Sequence, residues 1–227
     1  MTLDEKTSAA SPQTARHRVR VDVRRLILTG ELRPGTRLTQ QQLAKRFGVA
    51  QSVVRESLLE LQFSGLVRSV DNLGIFVNDL DTGLLLQAYQ VREMIEGLAA
   101  RLACERANRI DIRELYDMAE AIYLNGVNLN DPDRGHIDRD FHHRIIMISQ
   151  NVVLARLTEA YHVLGTVLTA TRNHETIKKE HTDIVRAIEE NKPDAAEEAA
   201  RLHVAGVRSA IEEQIGEGRF TPKWVVD

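Results

Sequence analysis

The chain has 227 residues, 43% of them hydrophobic, 28% charged and 4% aromatic, with one cysteine and a formal net charge of −3. That composition excludes a largely disordered chain and a disulfide scaffold. The charge is uneven: residues 1–77 carry 12 Lys/Arg against 7 Asp/Glu, net +5, and residues 78–227 carry 18 against 26, net −8, a split expected where one part alone meets nucleic acid. No apolar run approaches the roughly 20 residues of a membrane span, and "MTLDEKTSAASP" lacks a signal peptide's apolar core, so a cytoplasmic chain with no membrane partner is expected. Cys104, inside "GLAARLAC", reads as a small buried hydrophobe.

Taken in chain order, residues 1–13 read as a disordered tail. In "TARHRVRVDVRRLILTGEL", Val19, Val23, Leu26 and Ile27 recur at helical spacing, and Gly30 closes the helix. "RPGTRL" makes a turn. Thr39 then opens a second helix as N-cap, with Gln42 three residues on in capping-box position, and Gly48 stops it. A third helix runs from about Gln51 to Ser64, with Val54, Leu58 and Leu61 on its buried face. "LVRSVDNLGIFV" reads as a hairpin turning at Asp71 to Gly74. Residues 14–77 therefore form a winged helix-turn-helix with a small β-hairpin wing.

The second helix of such a motif enters the major groove of DNA, and its first residues meet base edges. Gln51, Ser52 and Arg55 lie there, off the buried face. Arg pairs with guanine and Gln with adenine in bidentate fashion, each pair giving about 1–3 kcal/mol of discrimination. Arg24, Arg25, Arg37, Lys45, Arg46 and Arg68 are candidates for phosphate contact, which adds affinity without sequence choice.

After a polar linker, "NDLDTG" at 78–83, the pattern becomes helical throughout. Helices are expected over 84–107, 110–126, 131–149, 152–173, 175–190 and 193–215, with starts suited to Asn151 and to the Pro/Asp pairs at 131–133 and 193–194. Six helices with short connections imply an all-α antiparallel bundle over 84–216, and residues 217–227 form a tail in which Trp224 is expected to dock. The fold class is thus mainly α.

Asp138 and His142 in "HIDRDFHHRI" are i, i+4 and leave one helix face. His181 runs in line with Ile177, Ile184 and Ile188, and His203 with Ala199, Val207 and Ala210. One Asp and three His thus turn inward from three helices. Imidazole suits Zn, Ni, Cu or Fe, and Zn or Ni is the expected ion. A single inward His is more often a core residue than a ligand, and the other five histidines read as surface or structural. Arg92 stands on the apolar stripe Leu85, Ala88, Ile95, Ala99, where an unpaired guanidinium is costly. It either pairs with Glu96 or a neighbouring carboxylate, or holds a carboxylate effector.

These residues carry a resemblance. "ILTGELRPGTRLTQQQLAKRFGVAQSVVRESLLELQFSGLV", closing with "NLGIFV", resembles the N-terminal domain of the GntR family of bacterial transcription regulators over about residues 16–77. "VREMIEGLAARLA", "DRDFHHRI" with "QN" after it, "EHTDIVRAI" and "RLHVAGV" resemble that family's FCD-type ligand-binding domain. The resemblance implies that Arg55 contacts DNA, that Gly74 sits at the wing tip, that Asp138, His142, His181 and His203 hold the metal, and that the effector is a small organic acid. The chain departs from the family's Ser-Arg-x-Pro entry to the recognition helix with Ala50-Gln51-Ser52-Val53, and has Gln41 where an Arg is common, so a shifted operator is expected.

The function expected is that of a DNA-binding regulator, a repressor, acting as a homodimer on a palindromic operator under control of the effector. One rival is a metal-dependent hydrolase with an accessory DNA-binding domain; "HExxH" spacing and a spare general base are missing from the sequence. Another is a metal-free regulator sensing a larger apolar effector.

Overall fold

The computed structural model describes residues 12–78, 82–127, 134–165 and 172–220. Most of the expected N-terminal tail, the middle of the linker, the helix start at 131–133 and Trp224 lie outside them. The chain divides after residue 79 into two compact units.

In the first unit α1 (Pro12–Leu28) begins two residues inside the stretch expected as a tail. Val19, Val23, Leu26 and Ile27 are buried on it, as are Val54, Leu58 and Leu61 of α3 (Gln51–Phe63) and Leu43 and Ala44 of α2 (Gln40–Phe47), and α3 packs against both other helices. Thr39 caps α2, its hydroxyl accepting from the Gln42 N–H at 3.3 Å. Gly48 then turns the chain at φ 65°, a left-handed conformation that glycine takes without a Cβ penalty. Ser57, fully buried on α3, has its hydroxyl within 3.0 Å of the Arg16 carbonyl and 2.9 Å of the Val53 carbonyl.

The wing holds one strand more than the hairpin expected. β2 (Val67–Val70) and β3 (Gly74–Val77) pair antiparallel around a turn in which Asn72 takes φ 61°, and β1 (Arg37–Leu38) adds on the far side of β3 with Arg37 opposite Phe76. Two residues are too short for an alternation signal. β1 exists because the chain, leaving the turn at Gly35, runs alongside β3, whose backbone supplies its partners.

The second unit is built from α4 (Thr82–Ala103), α5 (Arg109–Val127), α6 (Arg134–Ile148), α7 (Val152–Gly165), α8 (His174–Glu189) and α9 (Pro193–Gly216). Asn151 caps α7 through its side-chain oxygen, which accepts from Val153 and Leu154 N–H, and Pro193 opens α9. α4 ends at Ala103, sooner than expected, because Asn108 and Asp111 form a reciprocal cap for α5: Asn108 Oδ1 accepts from Ile110 and Asp111, and Asp111 Oδ2 accepts from Asn108 N–H at 2.9 Å.

The main core joins Ala99 and Ala103 of α4, Leu115 of α5, Phe141 and Ile145 of α6, Ile184 and Ile188 of α8, and Ala196 and Ala200 of α9. A smaller cluster of Leu85, Tyr89, Val204 and Ile211 continues the contact between α4 and α9. Cys104 is buried, as expected. Among the described residues no helix is long and apolar enough to cross a membrane.

Gly97 sets the approach of α4 to α9. A Cβ there would stand 2.5 Å from Arg201 Cγ and 3.2 Å from the Glu197 carbonyl oxygen, and a backbone oxygen cannot step aside as a side chain can. Gly97→Val is therefore expected to lower stability by roughly 1–3 kcal/mol through overpacking. An unchanged midpoint in a urea titration would show that the two helices are not so tightly apposed.

Candidate functional site

On α3 the burial of Val54, Ser57, Leu58 and Leu61 leaves Gln51, Ser52 and Arg55 exposed along the other face. Ala50 stands at the N-cap and makes no side-chain cap bond. Gln41 is exposed on α2. Arg46, also exposed, donates to Glu31 at 2.7 Å and its guanidinium lies 5.9 Å from the Phe47 ring centre. Gly74 takes φ 108° at the start of β3, and a Cβ there would meet the Arg37 guanidinium at 3.4 Å, so glycine leaves room for that arginine across the wing.

In the helical unit, Asp138 and His142 of α6, His181 of α8 and His203 of α9 come together: one ligand atom from each lies within 4.8 Å of the others. Nε2 of His181 stands 3.4 Å from Asp138 Oδ1 and 3.5 Å from Nε2 of His142, which is itself 3.9 Å from Asp138 Oδ2. Two ligands each about 2.0–2.2 Å from one zinc sit roughly 3.3–3.6 Å apart at a tetrahedral angle, a spacing that the two His181 contacts have and that the 3.9 Å contact exceeds. Phe141, fully buried, holds two of the rings edge-on, with centroids 5.3 Å from His142 and 4.7 Å from His181. The His142 and His203 rings stack at 5.0 Å.

Four residues beyond that set shape the cluster, Arg92, Glu96, Glu180 and Arg172, and the last two went unread in the sequence. Glu96 on α4 places Oε2 2.9 Å from His142 Nδ1 while its other oxygen accepts from Arg92 Nε at 2.6 Å. The contact with His142 is an ion pair at short range, and among the described residues Glu96 Oε2 is a buried atom to which no hydrogen bond is directed. Glu180 of α8 bonds His203 Nδ1 at 2.8 Å, and Arg172, just before α8, forks onto Glu180 at 2.5 and 2.9 Å. A Cβ on Gly206 would stand 2.8 Å from Arg172 Nη2, so this glycine makes the fork possible. Glu180 stands directly before His181 in the chain, but nothing in the spacing says that it serves His203 on another helix.

Arg92 thus pairs with Glu96, one of the two alternatives the sequence left open, and its guanidinium lies 4.7 Å from the Tyr89 ring centre.

The charges sort the imidazoles into two kinds. Burial pushes His203 down to about 4, with the neighbouring His181 ring acting in the same direction. Burial also lowers His181. His142 moves up, because the carboxylates of Glu96 and Asp138 outweigh the effect of its burial. Desolvation would raise Asp138, but the hydrogen bond from His181 and the surrounding imidazoles hold it well below the usual carboxylate range. Burial would likewise raise Glu180, which its bonds from His203 and Arg172 bring down to about 2. The lowered His181 and His203 beside an ionised Asp138 are in the protonation states in which such groups ligate a cation, whereas His142, moved up, must give up its proton to do so.

Residues 15–77 match the family described as bacterial regulatory proteins, gntR family, and residues 87–206 match the FCD domain. The chain belongs to the GntR family of bacterial regulators, with an FCD domain. An HTH-type transcriptional regulator of Bacillus subtilis is 28% identical over 190 residues, 80% of this chain and 84% of its own. The "probable D-xylose utilization operon transcriptional repressor" of Paenarthrobacter nicotinovorans is 26% identical, covering 89% of this chain and 91% of its own. Among solved structures, McbR/YncC of E. coli shares the fold with a TM-score of 0.66 at 18% identity, over 88% of this chain and 98% of its own. This GntR-family chain is a transcriptional regulator that joins a DNA-binding domain to an FCD effector-binding domain.

Within the regulator's FCD domain, Phe141 carries both packing and ring placement. Phe141→Ala is expected to cost about 3–5 kcal/mol in stability. Denaturant unfolding of the chelator-treated protein measures it, and a loss under 1 kcal/mol would refute the role given to this ring.

Proposed function

We propose that this regulator is a repressor which binds a palindromic operator as a two-fold homodimer and is controlled by a small organic acid held at a divalent metal beside Arg92. The observation that carries the reading is the convergence of Asp138, His142, His181 and His203 from three helices, with ligand atoms within 4.8 Å. Three imidazole nitrogens and one carboxylate suit Zn or Ni. Such an ion, when bound, supplies a Lewis acid to which an effector oxygen coordinates.

The chain's own groups do the rest. Arg92 spends Nε on Glu96, which leaves the terminal nitrogens of the guanidinium as a two-donor edge for an effector carboxylate. Its charge also reaches Asp138, so it sits within electrostatic range of the ligand cluster. A large apolar effector fits poorly against so many charged side chains. Hydrolysis is disfavoured for a similar reason: Glu96 is engaged by Arg92 and lies against His142, and Glu180 is engaged by Arg172 and His203, so neither is a spare general base.

On the DNA side, Gln51, Ser52 and Arg55 are proposed to read bases, with Gln41, Arg46 and the backbone at Gly74 contacting the duplex nearby. Arg46 is tied to Glu31 in an exposed ion pair, a weak interaction that a phosphate oxygen can replace. Repression is supported by the Paenarthrobacter relative, which is named as a probable transcriptional repressor. Effector control then requires that the acid bind one arrangement of the dimer more tightly than another, and the shift is no larger than that difference.

Two measurements test the reading. Arg55→Ala is expected to lower specific operator affinity by about 1–3 kcal/mol and to relax base choice at one position; a gel-shift series with unchanged selectivity would remove Arg55 from base recognition. Elemental analysis of untagged protein is expected to find about one Zn or Ni per chain in the wild type and far less in His142→Ala. A wild type that stays metal-free when metal is supplied would overturn the metal centre.

A further inference from the structure

We propose that Arg172 and Glu180 form a positioning arm that locks His203 with Nδ1–H turned out and Nε2 bare and turned toward the ligand cluster. The inference rests on the metal reading given above and goes beyond it by assigning two residues outside the ligand set.

The arm is built from three elements. Glu180 Oε2 lies 2.8 Å from His203 Nδ1, and since an ionised carboxylate only accepts, Nδ1 is the donor. With Nδ1 so engaged, Nε2 is the atom His203 has left to offer. Glu180 is held in turn by both terminal nitrogens of Arg172, a planar fork that fixes the carboxylate's direction as well as its charge. His203 is 3% exposed, so no solvent competes for Nδ1. Gly206, one turn along α9 from His203, provides the space in which the guanidinium lies.

Arg92 and Glu96 repeat the arrangement at His142, though there the carboxylate lies against Nδ1 without a straight hydrogen bond. Among the described residues His181 has no such arm, and its buried Nδ1 has no hydrogen-bond partner. The three imidazoles are therefore unequally restrained, and His203 is the one most firmly set. Carboxylates that orient a ligating histidine in this way typically change metal affinity by 10–100-fold when removed.

The test uses the full chain at neutral pH. Long-range 1H–15N spectra of the chelator-treated wild type are expected to show His203 as the Nδ1–H tautomer. Glu180→Ala should convert it to a mixture or to Nε2–H while leaving His142 as it was. Zinc affinity, read by competition with a chromophoric chelator, should fall 10–100-fold in Glu180→Ala, and by clearly less in Glu180→Gln, whose amide oxygen still accepts. An Nε2–H tautomer at His203 in the wild type, or a Glu180→Ala variant matching the wild type in both tautomer and zinc affinity, would overturn the arm. The wild-type spectrum decides the matter even if a variant fails to fold. A wild type that takes up no zinc would defeat the metal reading alone, because the tautomers are measured without metal.

Discussion

The helical unit depends on one electrostatic constraint: ionisable side chains taken into its interior must all be paired there. Glu96, His142, His181 and His203 are buried, and unpaired they would cost several kcal/mol apiece in desolvation. The chain meets this with alternating charge, arginine to glutamate to histidine, running in from α4 and from the start of α8. Each carboxylate is stabilised as an anion by the guanidinium behind it and turns toward a ring in front. The same constraint explains why Asp138, with 42% of its side chain exposed, still keeps its proton affinity low: three imidazoles surround it.

Packing is subordinate to that arrangement. Phe141 fills the space behind two of the rings, and Gly97 and Gly206 remove side chains where α9 must accept α4 and the Arg172 guanidinium. Small residues on α4 and α9 thus serve the placement of charge as much as the density of the core. An interior held this way has few alternative arrangements.

The N-terminal unit solves the opposite problem. Its core is purely apolar and small, apart from the buried Ser57 hydroxyl, and its polar residues are held outward on helix and wing. On α3 one face, with Val54, Ser57, Leu58 and Leu61, serves stability, and the other, with Gln51, Ser52 and Arg55, stays exposed. The missing side-chain cap at Ala50 costs roughly 0.5–2 kcal/mol relative to Ser. This is a local weakness that the tight turn at Gly48 and the anchoring of Val54 and Leu58 offset.

How much of this was legible in the chain differs from residue to residue, for physical reasons. Thr39, Gly48 and the spacing of Val54, Leu58 and Leu61 act within a few residues of themselves, so the helix-turn-helix could be read directly, and the i, i+4 spacing of Asp138 and His142 guaranteed a shared face. The pairing of Arg92 with Glu96, also i, i+4, stood as one of two readings. β1 could not be seen, because two residues become a strand only when β3 lies beside them. That His181 and His203 meet the α6 pair came from family resemblance, since helical spacing says which way a side chain leaves its own axis but not what lies opposite. Glu180 beside His203, Arg172 in the hollow left by Gly206 and Phe141 against the His181 ring are contacts between segments that only the tertiary packing brings together. Local chemistry along the chain determined the elements and their polar and apolar faces; only the packing of α4, α6, α8 and α9 decided which of those faces would share one site, because that depends on distances no sequence interval encodes.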